Sequence, residues 1–128
     1  MVKDRIVLDT NVVSAILKGN TEIVDKLENY TPCIPVIVCG ELLFGANNSA
    51  RVAQNTEIIT SFINATEVLA VTYEVAEKYG KVRNQLKKIG RPIPENDIWI
   101  AAICLTYDLP LATLDKHFGY VEGIDLFL

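Results

Sequence analysis

Arg5 to Leu8 is a short run of β-branched and aliphatic residues that stops at Asp9, and from Val12 to Gly19 the pattern becomes helical. A strand that ends on a carboxylate and passes at once into a helix restricts the chain most, because strand-then-helix order recurs. Thr21 is expected to cap a second helix through Asn29, with Ile23, Val24 and Leu27 inward. Ile34 to Cys39 reads equally as a buried strand or as the entry to a helix, and the helical signal improves from Gly40. Asn47 to Ser49 mark a turn before a helix to about Ile63, and Val68 to Val71 read as a strand. Thr72 opens a long helix with Val75, Tyr79, Val82 and Leu86 on one stripe, ending near Gly90. Pro92 and Pro94 cannot continue it, and Asn96 is expected to cap the next, with Ile100, Ile103, Cys104 and Tyr107 on its apolar face. Leu111 to Thr113 read as a strand turning at Asp115, and Ile124 to Phe127 as a last one. This alternation predicts a parallel sheet with helices on both faces, an α/β fold. Asp9 and Asp115 then both follow the carboxyl end of a strand, where open parallel sheets hold their ligands.

The 128 residues suffice for one core and not for two, so a single domain over residues 1–128 is expected. Half of the residues are hydrophobic and 22% charged, a globular balance. Apolar runs such as Ile34 to Gly40 are far shorter than the roughly 20 residues of a bilayer span. The amino terminus has no signal-peptide pattern, so a cytoplasmic location is expected. Cys33, Cys39 and Cys104 lie in apolar stretches without a C-x-x-C pair and read as buried thiols in a reducing compartment. His117 is the only histidine, which excludes sites needing two imidazoles and disfavours zinc. The net charge of −4 argues against general polyanion binding, yet Lys78, Lys81, Arg83, Lys87, Lys88 and Arg91 concentrate half of the 12 basic residues. That segment is either a solvated helix face or a phosphate-contacting surface.

Four acids stand in apolar or turn-forming settings: Asp9 in IVLDTN, Glu41 in VCGELLFGA, Asp97 in PENDIWIAA and Asp115 in LATLDKHF. Three of them have an ordinary explanation. Asp9 can cap a helix beginning at Val12 or Val13, Asp97 can favour a helix dipole from the first turn, and Asp115 can belong to a turn or cap a short helix. Glu41 is harder to explain, because Ile37, Val38, Leu42, Leu43 and Phe44 surround it and no basic residue is close in sequence. A carboxylate taken from water needs a cation or donors. Oxygen ligands without imidazole or thiolate favour Mg²⁺ or Mn²⁺, which suit phosphodiester chemistry.

The ordered set LDTN, GELLFGA, NDIWIAA and TLDKHF resembles the PIN-domain ribonucleases, and most of all the small VapC-type toxins of prokaryotic toxin–antitoxin pairs. The resemblance covers essentially the whole chain. It implies a three-layer domain with a five-stranded, mainly parallel sheet flanked by helices. It also implies that Asp9, Glu41, Asp97 and Asp115 surround Mg²⁺ or Mn²⁺, with Thr10, Asn11 and Thr113 orienting them. RNA would be hydrolysed by metal-activated water, leaving a 5′-phosphate and a 3′-hydroxyl. An antitoxin segment lying over the groove and a homodimer are further implications. Lys81, Arg83, Lys87 and Arg91 are the candidate RNA contacts. Many relatives carry Ser or Thr shortly before the glutamate, where this chain has Val36, Ile37 and Val38, so one supporting hydrogen bond is expected to be missing.

Other classes fit less well. A haloacid-dehalogenase phosphatase needs a second acid two residues after the first, where this chain has Asn11, and a receiver domain needs a mid-chain Asp, absent between Asp25 and Asp97. A single histidine cannot supply the acid–base pair of metal-independent ribonucleases. The competing reading is a PIN-like module, inactive or weakly active, that works mainly through protein binding.

Overall fold

The computed structural model describes residues 4–128; Met1 to Lys3, included in the expected domain, lie outside the described residues. Among the described residues, five strands form one sheet in the order β3-β2-β1-β4-β5: β1 Asp4–Leu8, β2 Tyr30–Pro35, β3 Glu67–Leu69, β4 Leu111–Ala112 and β5 Leu126–Phe127. Every pairing is parallel, with Val7 opposite Cys33 on one side and Leu111 on the other. The helices are α1 Thr10–Leu17, α2 Thr21–Lys26, α3 Val36–Asn47, α4 Val52–Asn64, α5 Tyr73–Lys88 and α6 Glu95–Tyr107, and a 3₁₀ turn spans Lys116–Tyr120.

Ile6, Val7 and Leu8 are buried in succession, as are Leu111 and Ala112, because a parallel strand is covered on both faces. From β1 the chain winds outward to β2 and β3, then returns across the sheet to lay β4 on the opposite side of β1. The β1–β4 boundary is therefore the switch point of the winding, and a crevice opens beyond the carboxyl ends of these two strands.

The uncertain stretch from Ile34 to Cys39 divides at Pro35. It ends β2 and occupies the cap position of α3, where the N–H that proline lacks would have had no partner within the helix. Two capping expectations are corrected. Asn20, not Thr21, caps α2 by accepting from Ile23 N at 3.1 Å, and that helix stops at Lys26 rather than Asn29 because the backbone tightens into Tyr30. The α6 helix starts on the Pro94 carbonyl, which accepts from the Asp97 and Ile98 amides, so Asn96 lies inside the first turn and caps nothing. Thr72 does cap α5, accepting from Val75 N at 3.3 Å.

Ile98 and the run from Ile100 to Cys104 are buried together, so α6 is enclosed on more than the one face expected, and Ala101 and Ala102 permit close approach. Tyr79 of α5 stacks on Trp99 of α6 with ring centroids 3.9 Å apart. All three cysteines are buried free thiols, and burial pushes the Cys33 thiol up to about 11. These are packing residues.

Candidate active site

Asp9 occupies the cap position of α1, but its carboxylate does more than cap. Oδ1 accepts from the adjacent Thr10 amide at 2.8 Å, and Oδ2 accepts from the Thr113 hydroxyl at 2.7 Å. The helix begins at Thr10 rather than at Val12 or Val13. Both oxygens are thereby fixed, Oδ2 across the β1–β4 boundary. Thr113 in turn accepts from the Asp115 amide at 3.0 Å, and Asn11 Oδ1 accepts from the Leu114 amide at 3.2 Å. The polar residues after β1 thus hold the loop after β4.

Glu41 projects from the second turn of α3 and is half-buried. The Thr10 hydroxyl donates to Glu41 Oε1 at 2.7 Å, so Thr10 ties two of the acids together. The hydrogen bond that Val36 to Val38 cannot provide has no side-chain substitute at the start of α3, which begins without a side-chain cap. Support for Glu41 comes instead from α1.

Asp97 lies in the first turn of α6 with 12% of its side chain exposed. Burial, followed by the charges of Asp9 and Glu41, pushes its carboxyl up to about 6 despite the opposing hydrogen bond from His117. Asp9 is raised by the same cause, burial, with Asp115 and Glu41 adding repulsion while Thr113 and Thr10 oppose it. Asp9, Glu41, Asp97 and Asp115, together with Thr10, Asn11 and Glu95, line one open cavity of about 590 Å³.

His117 was missed as a site residue. Its Nε2 is 2.7 Å from Asp97 Oδ2 and 4.0 Å from Asp115 Oδ2. Asp97, Asp115 and His117 each offer a ligand atom within 4.8 Å of the others, whereas Asp9 and Glu41 line the same cavity outside that tight group. The available signal was the D-K-H spacing: a 3₁₀ turn starting after Asp115 brings the imidazole back beside the carboxylate.

The donors fit a divalent cation. Hard oxygens dominate, one imidazole joins them, and two carboxyls have raised affinity for a proton that a cation would reverse.

The basic segment separates on folding. Arg83 donates to the Tyr79 hydroxyl at 2.7 Å and approaches Glu95 at 3.6 Å, while the Tyr79 hydroxyl also bonds Glu95. Arg83 and Lys87 border a recess that shares Glu95 with the acid cavity. Lys81 is exposed elsewhere on α5, and Arg91 packs over the Tyr120 ring, 5.1 Å from its centroid.

The sequence matches the PIN domain over residues 6–124. The chain belongs to the PIN domain family. It is similar to Ribonuclease VapC1 of Haemophilus influenzae (strain R2866), 33% identical over 111 residues that make up 83% of each chain. It also superposes on the DNA-bound VapBC structure from Salmonella typhimurium with a TM-score of 0.90 at 27% identity, covering 97% of both chains. A third likeness is to VapBC-5 from Mycobacterium tuberculosis, a member of the VapBC family of toxin–antitoxin systems, with a TM-score of 0.77 at 29% identity over 96% of this chain and 97% of that one. Within the PIN domains the chain is of VapC type, and the order β3-β2-β1-β4-β5 is its version of the PIN sheet.

Proposed function

We infer that the protein is a PIN endoribonuclease and the toxin of a toxin–antitoxin pair. The observation that carries this reading is the meeting of four acids at the carboxyl ends of β1 and β4 in a chain of VapC type. Metal dependence follows from the family and from the acidic cluster, and we assign Mg²⁺ or Mn²⁺ to the site because its donors are mostly hard oxygens. Asp9, Glu41, Asp97 and Asp115 are the residues to hold the cation, with His117 beside Asp97 and Asp115. When bound, the cation supplies Lewis acidity toward a phosphate oxygen and a water of lowered pKa.

The side chains around it keep the acids in place. Thr113 and the Thr10 amide fix Asp9, the Thr10 hydroxyl fixes Glu41, and His117 fixes Asp97. RNA phosphodiesters would be hydrolysed in line to a 5′-phosphate and a 3′-hydroxyl, without a covalent enzyme intermediate. Arg83 and Lys87 are the better candidates for contacting the flanking backbone, since they alone of the four proposed cations border a recess joined to the acids through Glu95. Lys81 and Arg91 lose weight, the latter being engaged by Tyr120.

An antitoxin is the expected protein partner. A groove lined by Leu17, Leu42, Ala46, Ile58 and Ile59 opens onto Thr10 and Glu41, which suits an amphipathic segment carrying a basic residue toward the acids. A homodimer is consistent with the exposed apolar side chains of so small a domain. No described helix is long and apolar enough to cross a membrane, and a cytoplasmic location is the reading we favour.

Purified, antitoxin-free protein in Mn²⁺ or Mg²⁺ is expected to cleave structured RNA, and both EDTA and Asp97→Asn should abolish cleavage. Equal cleavage by wild type and variant would identify a contaminant; no cleavage by folded wild type on several RNA classes would transfer the weight to a protein-binding module. Mn²⁺ should also raise the melting temperature at pH 7.5, since it relieves repulsion among the acids. Thr10→Val removes the donor to Glu41 while keeping the Thr10 amide, and cleavage should fall about 10-fold or more with the melting temperature nearly unchanged. Wild-type rates in that variant would mean that Glu41 is held by other contacts.

A further inference from the structure

Phe44 is 70% exposed, an unusual position for a phenylalanine ring in a chain that buries most of its apolar bulk. It lies on α3 one turn beyond Glu41. Ile37, Gly40, Glu41 and Phe44 share a helix face, and with Thr10 and Asn96 they line a recess of about 640 Å³. Thr10, Glu41 and Asn96 also border the acid cavity, so the two spaces are continuous. A helical side chain leans toward the turn before it, which directs the Phe44 ring over Gly40. A side chain on Gly40 would meet nothing within 4 Å, so no packing demands a glycine there, although glycine is a poor helix former. Its effect is to leave the ring and the helix face bare. Across the recess, the exposed Asn96 amide makes no hydrogen bond among the described residues.

We propose that Phe44 is a stacking platform for the nucleobase next to the scissile phosphate, with the Asn96 amide meeting that base's edge. The proposal rests on the endoribonuclease reading above and extends it to the substrate. Among the described residues no lysine or arginine lines the recess, which does not suit it to a phosphate. Single-stranded RNA presents unstacked bases to exposed aromatic rings, and their edges to side-chain amides. A protein segment is the less suitable occupant, because among the described lining residues only Ile37 sets an aliphatic side chain beside the ring, while Thr10, Glu41 and Asn96 make the rest of the wall polar. The strand would then run from the Arg83–Lys87 recess, past Glu95 and the acids, to Phe44.

The test uses an RNA oligonucleotide spanning a cleavage site found with the wild-type protein, alongside versions made abasic at each nucleotide flanking that site. Phe44→Ala should raise KM by about 10- to 100-fold with kcat nearly kept, Phe44→Trp should restore KM, and one abasic RNA should be cut equally by wild type and Phe44→Ala. Gly40→Leu, placed in open space, should raise KM without lowering the melting temperature. Unchanged KM in Phe44→Ala, including the case in which its only defect is in oligomeric state, would overturn the proposal and assign the ring to a protein contact. A penalty that persists on every abasic RNA would overturn it too. If the wild type cuts no RNA, the endoribonuclease reading itself fails, an outcome distinct from the loss of the Phe44 effect alone.

Discussion

Asp97→Asn should abolish RNA cleavage and yet, in EDTA at pH 7.5, melt at a higher temperature than the wild type. The two effects have one origin. Asp97 is nearly buried, and burial together with the charges of Asp9 and Glu41 pushes its carboxyl from an ordinary 3.8 up to about 6. The folded chain therefore binds a proton there that the unfolded chain has already released between pH 3.8 and about 6. A raised folded pKa contributes stability that is fully present below 3.8 and lost as pH rises through about 6. At pH 7.5 the folded protein without divalent cation thus carries a burden of at most ~3 kcal/mol at this position.

Asparagine is neutral, can still bond His117, and removes that burden. The expected gain is up to about 10 °C in melting temperature at pH 7.5, shrinking to nothing near pH 4. Thermal melts of both proteins across this range, in EDTA, measure it. A variant that melts lower than the wild type at pH 7.5 would mean that the Asp97 charge is already compensated without a cation. In Mn²⁺ the order should narrow or reverse, because the charge that destabilises the metal-free cluster is the one proposed to hold the cation. Cleavage should fall by more than the roughly 100-fold typical of losing a group that merely orients a ligand.

Phe118→Ala should destabilise the fold strongly. Phe118 is wholly buried and, among the described residues, is the largest fully buried side chain. Deleting a ring from a packed interior costs about 3–5 kcal/mol, or on the order of 10–20 °C here. The ring also packs against His117, with centroids 4.9 Å apart, and follows Asp115 by three residues in the 3₁₀ turn. Its loss should therefore slow cleavage more than an equally destabilising truncation far from the cavity. Phe118→Leu should recover most of the stability. Denaturant melts and cleavage rates of both variants, compared at a temperature where each remains folded, provide the measurement. A wild-type melting temperature in Phe118→Ala would show that the turn is not a packed part of the core.

Asp9, Glu41, Asp97 and Asp115 were legible as unusual acids because each stands beside residues that seek burial, and desolvation cost is a property of the local string. The order of strands and helices was legible for a similar reason, since apolar periodicity is read within one element. Helix starts were less so. Asn20 rather than Thr21 caps α2, and the Pro94 carbonyl rather than Asn96 opens α6, because neighbouring residues compete for the same few amides.

What the sequence determined by itself was the alternation that requires a parallel sheet and the chemical identity of the acids. Only the tertiary structure decided which of their neighbours act together. Thr113 reaches Asp9 across 104 residues and Asn11 reaches Leu114 across 103, contacts that exist only because β4 returns to the free side of β1. The crossover likewise brings His117 to Asp97 and engages Arg91 with Tyr120. Sequence patterns carry local preference, whereas a buried charge finds its partners through space, in the low-dielectric setting that the packed sheet and helices create.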